Sequence, residues 1–299
     1  MRSASGILLV DKPGGITSHD VVARTRRAFG TRKIGHAGTL DPMATGLLVL
    51  GIEGATRLLT YLVGLDKTYE TTIRLGAATT TDDAEGEIVS TSGSDELASV
   101  SDERIAGGSA ELTGAISQVP STFSAIKVDG RRAYDLARSG QDVALKAREV
   151  TIDRFEVRAI RRTDGFVDVD ATIDCSSGTY IRALARDLGA GLGVGGHLTM
   201  LRRTRIGPFF LEDAHTLDAL AEQPAILEPA EVAARVLGRL DVSADEARDL
   251  RHGKRLDGAA GRITGANAAA IGPDGALVGI VERRGDALKS AMNMPEVPA

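Results

Sequence analysis

One stretch organises this chain: Gly35-His36-Ala37-Gly38-Thr39-Leu40-Asp41-Pro42-Met43-Ala44-Thr45-Gly46. Asp41 lies at its centre, and because a proline follows, we expect an extended backbone at Asp41. The apolar run over residues 47–52 has the length and composition of a buried strand. A carboxylate on a stiff loop beside the basic segment 24–33 suits chemistry on an anionic polymer, although Asp-Pro taken alone is a common turn dipeptide.

The composition indicates a globular protein with one large and one small domain. Of 299 residues, 42% are hydrophobic and 3% aromatic, which predicts an aliphatic core. The longest apolar run is too short for a membrane span, and we expect no signal peptide. The single cysteine, Cys175, excludes an intramolecular disulfide, and the scattered His residues show no zinc-ligand spacing. We therefore expect a cytoplasmic protein without a metal ion.

The charge distribution leaves room for a nucleic-acid partner despite a net charge of −5. Residues 1–75 contain ten basic and six acidic side chains, and residues 180–210 contain five and one. Residues 82–111 contain one basic and nine acidic side chains, and residues 212–250 contain three and ten. Because phosphate binding needs only a local positive field, one face of such a bipolar molecule can bind RNA. The acidic segments are read as solvated surface.

Local patterns predict alternating strands and helices. Strands are expected where apolar or β-branched residues alternate or cluster, at residues 7–10, 47–52, 67–75, 119–128, 166–175, 268–271 and 276–281. Helices are expected where a capping residue precedes a helical apolar stripe, at residues 17–30, 56–63, 131–139, 179–189 and 242–250. Residues 79–110 are polar and are predicted to be mostly loop, with one short strand near residues 88–89.

Four motifs, in order along the chain, resemble those of the TruB-type pseudouridine synthases. The Asp41 stretch resembles the catalytic motif of that family, and Gly6 to Ser18 resembles its opening Lys-Pro motif. Residues 66–69 resemble its Asp-Lys-x-Tyr segment, and residues 175–182 its Thr-Tyr-Ile-Arg motif. Together they extend from Gly6 to about Arg205, roughly two thirds of the chain.

The resemblance implies a fold and an activity. The fold would be a mixed α/β, largely antiparallel sheet with a central cleft in residues 1–237. A small β-rich domain of the PUA type would follow in residues 238–299. The activity would be conversion of uridine 55 in the tRNA T-loop into pseudouridine. This isomerisation needs no cofactor, and the partner would be the T-arm of tRNA, with no membrane, no required protein partner and a monomeric enzyme.

The resemblance also implies roles for individual residues. Asp41 would be the essential nucleophile or base, acting on the ribose or on the uracil. Arg182, in the first turn of its helix, would need a carboxylate partner because a cation there opposes the helix dipole, and the family names Asp41 as that partner. Tyr69 would stack on the uracil and assist removal of the C5 proton. Further substrate contacts would come from His36, Lys12, Lys127, Tyr180, Leu201 and Arg202.

Two alternatives remain open at this stage. One is a non-catalytic RNA-binding protein or tRNA-folding chaperone on the same scaffold, against which the intact Asp41, Tyr69 and Arg182 set argues. The other is a guide-RNA-dependent synthase, against which the small C-terminal segment and the absence of long basic tails argue.

Overall fold

The computed structural model describes residues 5–122, 127–128, 131–132, 145–163, 165–222 and 224–295, with 127–128 and 131–132 described by their backbone alone. The chain divides into two compact units, Met1–Val63 with Ile206–Ala299, and Gly64–Arg205. The predicted boundary between residues 237 and 238 separates two domains of the family, whereas these units are defined by compactness, so that boundary stays a prediction. Among the helices described, none is long and apolar enough to cross a membrane.

The described residues form strands and helices in a mixed order. The strands are β1 Gly6–Lys12, β2 Ile34–Ala37, β3 Thr45–Ile52, β4 Lys67–Leu75, β5 Ala77–Thr79, β6 Ile88–Thr91, β7 Gly114–Gln118, β8 Lys127–Val128, β9 Arg131–Arg132, β10 Arg148–Thr163, β11 Phe166–Cys175, β12 Gly196–Ile206, β13 Phe209–Phe210, β14 His215–Thr216, β15 Arg239–Asp241, β16 Asn267–Ile271, β17 Leu277–Arg284 and β18 Ala287–Asn293. The α-helices are α1 Ser18–Phe29, α2 Leu59–Leu62, α3 Ser94–Ala98, α4 Asp102–Glu111, α5 Ile181–Leu192, α6 Pro229–Leu237 and α7 Ala244–Arg251, and a 3₁₀ helix, Glu53–Leu58, precedes α2.

In the first unit, β1 lies between β3 and β14, and β2 pairs with the other edge of β3. The β1–β3 and β2–β3 pairs are antiparallel. Helix α1 covers these strands with Val21 and Val22, which are 0% and 4% exposed. Burial of each such side chain stabilises the fold by about 1.5–3 kcal/mol. The predicted limits of α1 are confirmed: Thr17 forms a capping box, and Gly30 ends the helix in the left-handed conformation.

The C-terminal part of the first unit contains a sheet in the order β15-β16-β17-β18. The predicted strands near residues 268–271 and 276–281 and the predicted helix near 242–250 are confirmed as β16, β17 and α7. Ser243 caps α7 through a capping box with Glu246. This part of the unit has its own hydrophobic core, which includes Leu250, Val281 and Leu288, all at most 1% exposed. The segment is therefore β-rich, as expected; its kinship to PUA domains stays a prediction.

The sheet of the second unit has the order β12-β4-β11-β10-β7. The predicted alternation of β11 is confirmed: Val169 and Ile173 are fully buried. The acidic residues next to Val169 bind polar groups on β4. Asp168 receives two 2.8 Å hydrogen bonds from Arg74, and Asp170 receives one of 2.7 Å from Thr72 Oγ1. These cross-strand pairs fix the register of β4 against β11.

The prediction that residues 79–110 are mostly loop was wrong, although β6 confirms the short strand. Ser101 caps α4 by accepting a hydrogen bond from the Arg104 N–H at 3.3 Å. Ile105 is fully buried beneath it. A Cβ atom on Gly108 would lie 2.8 Å from Leu188 Cδ1, so a glycine there permits close packing of α4 against α5. Polar composition concealed a helix that is stabilised by tertiary packing.

Two further predictions need correction. The strand expected over residues 119–128 is not formed at 119–122, where β7 has already ended at Gln118 and Pro120 has no N–H for a strand ladder; at the far end of the range, Lys127–Val128 form β8. Helix α5 passes through Gly189 and ends at Gly193. Gly189 is a packing residue, since a Cβ there would lie 2.2 Å from Gly195 C. The helix predicted at 131–139 lies outside the described residues, apart from the β9 backbone.

Candidate active site

The Asp41 loop connects two paired strands. β2 and β3 are antiparallel, with His36 opposite Leu50 and Ala37 opposite Val49. Between them the chain turns tightly, and the Ala44 N–H donates to the Asp41 carbonyl at 3.1 Å. The Asp41 residue is half-buried. The turn thus holds the carboxylate at a loop whose two ends belong to one sheet.

Lys12 supports this loop from inside the protein. It is 0% exposed, and Nζ donates to the carbonyls of Ile16 at 2.7 Å, Pro13 at 2.9 Å and Pro42 at 3.2 Å. The Gly15 N–H also donates to the Pro42 carbonyl, at 2.9 Å. A buried ammonium needs such acceptors, and here they fix the residue that directly follows Asp41. The prediction that Lys12 contacts the substrate stays a prediction; the contacts described make it a support of the loop.

His36 packs against a second imidazole that the sequence analysis did not single out. The rings of His19 and His36 are in an edge-to-face arrangement, with centroids 5.5 Å apart and planes at 85°. His19 is exposed in the first turn of α1, and His36 is half-buried on β2. The two residues are 17 positions apart in the sequence, so no local sequence pattern predicts that their rings are in contact.

In the second unit, Tyr69 lies on the buried face of β4. It is 7% exposed and lies opposite Ile173 of β11. Lys67, two residues earlier on the same face, is 5% exposed. Burial, and then the charge of Arg203, lower the pKa of Lys67 to about 8. The face of β4 that carries Tyr69 therefore also carries a cation that can lose its proton near neutral pH.

Arg182 is buried, and its carboxylate partner in the second unit is Asp83; the pairing with Asp41 that the resemblance implies stays a prediction. Arg182 is 4% exposed; its Nη1 lies 3.3 Å from Asp83 Oδ2 and donates to the Thr81 carbonyl at 2.8 Å. Asp83 Oδ1 accepts from Thr81 Oγ1 at 2.5 Å and from the Glu85 N–H at 3.0 Å. Asp83, at 3% exposure, is a functional candidate that the sequence analysis assigned to solvated surface.

The turn that carries Asp83 is held by its neighbour Asp82. Asp82 has a left-handed backbone with φ of 60°, and its carbonyl accepts from the Leu198 N–H at 3.0 Å. Its carboxylate lies 3.3 Å from Arg186 Nη1. Burial raises the pKa of Asp82, while the charges of Arg186 and Arg182 act in the opposite direction. These contacts fix the turn relative to α5 and β12.

Tyr180 is the N-cap residue of α5 and has no side-chain capping bond. The expected cap, Thr179, instead donates to the Ser176 carbonyl at 2.9 Å. The main chain of Tyr180 is held by Gln118, whose Nε2 donates to the Tyr180 carbonyl at 3.1 Å and whose Oε1 accepts from the Tyr180 N–H at 2.8 Å. Gln118 is 1% exposed. This pair anchors the start of the helix that contains Arg182.

The remaining predicted residues are distributed over the second unit. Leu201 and Arg202 lie on β12, the first 6% exposed and the second half-buried. Lys127 belongs to β8, and its side chain lies outside the described residues. Of the predicted catalytic residues, Asp41 belongs to the first unit and Tyr69 and Arg182 to the second. Within the described part of the chain, no three His, Cys, Asp or Glu side chains are grouped to hold a metal ion.

Three family models match consecutive parts of the chain. The model described as TruB family pseudouridylate synthase (N terminal domain) matches residues 26–181. The model of the tRNA pseudouridylate synthase B C-terminal domain matches residues 182–240. The model described as tRNA Pseudouridine synthase II, C terminal, matches residues 237–295. The three matches together leave only the first 25 and the last four residues unmatched.

The same family appears among similar proteins. A protein named tRNA pseudouridine synthase B from Mycobacterium sp. (strain KMS) is 59% identical over 278 residues, covering 93% of this chain and 92% of its own length. One of the same name from Leifsonia xyli subsp. xyli is 56% identical over 292 residues and covers 97% of each chain. A solved Cbf5-Nop10-Gar1 complex contains a chain of the same fold, with TM-score 0.71 and 25% identity, covering 97% of this chain and 84% of that one. The chain belongs to the TruB family of pseudouridine synthases.

Proposed function

We propose that this chain converts uridine 55 in the T-loop of tRNA into pseudouridine. The observation that carries the proposal is the clamped Asp-Pro loop with Asp41, in a chain 59% identical to a protein named tRNA pseudouridine synthase B. The reaction breaks the bond between ribose C1′ and uracil N1 and joins C1′ to C5. C5 gives up a proton and N1 gains one, so atoms and electrons balance without a cofactor.

The target uridine is stacked inside the folded T-loop, so it has to leave the stack before Asp41 can reach it. Asp41 then acts on the glycosidic bond, as nucleophile or as base. Its loop is short and joined to β2 and β3, which supports this role, because a carboxylate that is already positioned loses little entropy when the substrate arrives.

Arg182 orients the Asp41 carboxylate and stabilises its charge, and Tyr69 stacks on the uracil and helps to remove the C5 proton. The buried contact of Arg182 with Asp83 supports this assignment, because it fixes the orientation of the guanidinium. The place of Tyr69 on β4, opposite Ile173 of β11, supports its role, because the paired strand fixes the main chain that carries the ring.

Substrate contacts come from His36, Tyr180, Leu201, Arg202 and Lys127, while Lys12 acts through the loop. The half-buried Arg202 contributes to the local positive field that phosphates require. The catalytic domain comprises residues 1–237, and residues 238–299 form a PUA-like RNA-binding domain. The enzyme acts as a monomer in the cytoplasm and needs no protein partner.

Tritium release from tRNA labelled at uridine C5 tests the proposal directly, because C5 loses its hydrogen only when it becomes the glycosidic carbon. Wild-type protein is expected to release label from a transcript with the T-loop uridine and none when that uridine is replaced by cytidine. Asp41→Asn is expected to reduce release by at least about 10³-fold while tRNA affinity stays within about threefold. Asp257→Asn, which changes an exposed carboxylate, is the matched control.

The outcomes of the tritium-release assay distinguish the enzyme from the tRNA-folding chaperone. Release by wild type and by Asp257→Asn but not by Asp41→Asn supports the enzyme and its catalytic residue. Release by Asp41→Asn at a rate within a few-fold of wild type contradicts the role of Asp41. Binding of tRNA without release by any variant contradicts the enzymatic function and favours the tRNA-folding chaperone.

A further inference from the structure

A single buried hydroxyl joins helix α1 to the loop of Asp41. Ser18 Oγ accepts a hydrogen bond from the Leu40 N–H at 2.9 Å and donates one to the Leu40 carbonyl at 3.2 Å. Ser18 is 1% exposed and Leu40 is 4% exposed, so water does not replace these bonds. The two residues are 22 positions apart. One side chain therefore binds both main-chain polar groups of the residue that precedes Asp41.

The helix does not need this hydroxyl for its own start. Thr17 is the N-cap residue: its Oγ1 accepts from the Asp20 N–H at 3.1 Å, and the Asp20 carboxylate accepts from the Thr17 N–H at 2.8 Å. Serine near a helix start usually bonds the first turn of its own helix. Because Thr17 and Asp20 complete the capping box, Ser18 is available to the loop.

Asp41 is thereby flanked by two fixed residues. Ser18 holds Leu40 on one side, and Lys12 and Gly15 hold the Pro42 carbonyl on the other. The main chain at Asp41 cannot rotate without breaking at least one of these buried bonds. Since a displacement of about 1 Å can cost about 10²-fold in rate, the clamp on Leu40 bears directly on catalysis.

We propose that Ser18 is a positioning residue for Asp41: its hydroxyl fixes the Leu40 main chain and so directs the carboxylate toward the reacting uridine. The inference rests on the proposed pseudouridine synthase function. Ser18 itself touches no substrate, and its effect is on the rate of the chemical step, with little effect on tRNA binding.

The test compares Ser18→Ala with Thr25→Val in the full-length protein. Thr25 is a matched control, since it is a 0% exposed hydroxyl of the same helix that donates only to the Val21 carbonyl of that helix, at 2.9 Å. Single-turnover formation of pseudouridine is expected to fall about 10- to 100-fold in Ser18→Ala and to stay within about twofold in Thr25→Val. The tRNA dissociation constant is expected to stay within about twofold in both, and Ser18→Cys, with its weaker donor and acceptor, to give an intermediate rate.

Hydrogen exchange provides a readout that does not depend on activity. The Leu40 amide is expected to exchange at least about tenfold faster in Ser18→Ala than in wild type, and to be unchanged in Thr25→Val, because only the first loses the acceptor of that amide. If Ser18→Ala does not fold, Ser18→Cys takes its place in both measurements.

The results distinguish the two proposals. An active wild type with equal rates in Ser18→Ala and Thr25→Val overturns the positioning role and leaves the proposed function intact. An unchanged exchange rate at Leu40 likewise overturns it. A wild type that forms no pseudouridine overturns the proposed function, and the positioning role with it.

Discussion

Replacement of Asp83 by Asn tests whether a buried ion pair holds Arg182 in place. The two side chains are 5% and 4% exposed, with Arg182 Nη1 3.3 Å from Asp83 Oδ2. Asn has the shape of Asp and keeps an oxygen for the donors of Thr81 and Glu85, so the substitution removes mainly the charge. Loss of one partner from a buried pair costs about 3–5 kcal/mol. Because Arg182 also donates to the Thr81 carbonyl at 2.8 Å, we expect the lower end, about 3 kcal/mol.

Thermal unfolding and single-turnover kinetics measure the two consequences. About 3 kcal/mol corresponds to a fall of about 5 °C in the unfolding midpoint, because the entropy of unfolding of a 299-residue chain is about 0.6 kcal/mol/K. Misplacement of the Arg182 guanidinium should lower the rate of tritium release by at least about tenfold, with tRNA affinity within about twofold. The control is Glu231→Gln, which breaks an i,i+4 pair with Arg235 whose side chains are 47% and 45% exposed. Such a pair contributes about 0.3–0.5 kcal/mol, so its midpoint should fall by no more than about 2 °C.

The comparison can refute the reasoning in two ways. If Asp83→Asn unfolds at the same temperature as Glu231→Gln, the pair does not stabilise the turn, and the burial argument is wrong. If the midpoint falls but the single-turnover rate does not, Asp83 stabilises the fold without positioning Arg182 for catalysis.

Three further predictions concern other charged groups. The pKa of Lys67 is lowered to about 8 from 10.5, so the unfolded chain binds more protons in this range and the free energy of unfolding rises with pH. In urea unfolding, Lys67→Met should abolish the rise of the free energy of unfolding between pH 8 and 9. Between pH 9 and about 11, the raised pKa of Cys175 lowers the free energy of unfolding as the pH rises, so the measurement stays below that range. A rise that persists in the variant would contradict the assignment to Lys67. Lys12→Met should lower both the unfolding midpoint and the single-turnover rate, because the Pro42 carbonyl loses its ammonium donor; a normal rate would exclude Lys12 from holding the loop. Arg202→Ala should weaken tRNA binding and reduce the slope of log K against log salt concentration by about one, and an unchanged slope in filter binding would remove Arg202 from the phosphates.

The elements that the sequence predicted well are those whose information is local. Thr17 and Gly30 delimit α1 because a cap and a left-handed glycine act within one turn of the helix. The apolar run of β3 and the alternation of β11 are likewise visible over a few residues. The Asp41 loop is identified by its motif, and the strand after it, β3, follows from the apolar run; the strand before it, β2, has no such run and was not predicted.

The features that the sequence did not predict depend on partners far along the chain. Gly189 suggests a helix end, but it lies inside α5, where a glycine is needed because the chain at Gly195 passes too close for a Cβ. Asp83 reads as surface, but it is buried against Arg182, 99 positions later. The side chain of Gln118, the last residue of β7, binds the main chain of Tyr180, 62 residues away. Periodicity and composition carry no information on such contacts, which form only when the fold is complete.

The supports of Asp41 and Arg182 have one physical property in common. Ser18 and Lys12 bind main-chain groups next to Asp41, and Asp83 and the Thr81 carbonyl bind the guanidinium of Arg182. All of these bonds are formed in the protein without RNA, so their entropic cost falls on folding and is not repeated in each catalytic cycle. Groups fixed in this way do not have to reorganise as charge develops at the uridine. That is the reason why substitutions at these supports should act on the rate of the chemical step, while the binding of tRNA depends on the exposed cations.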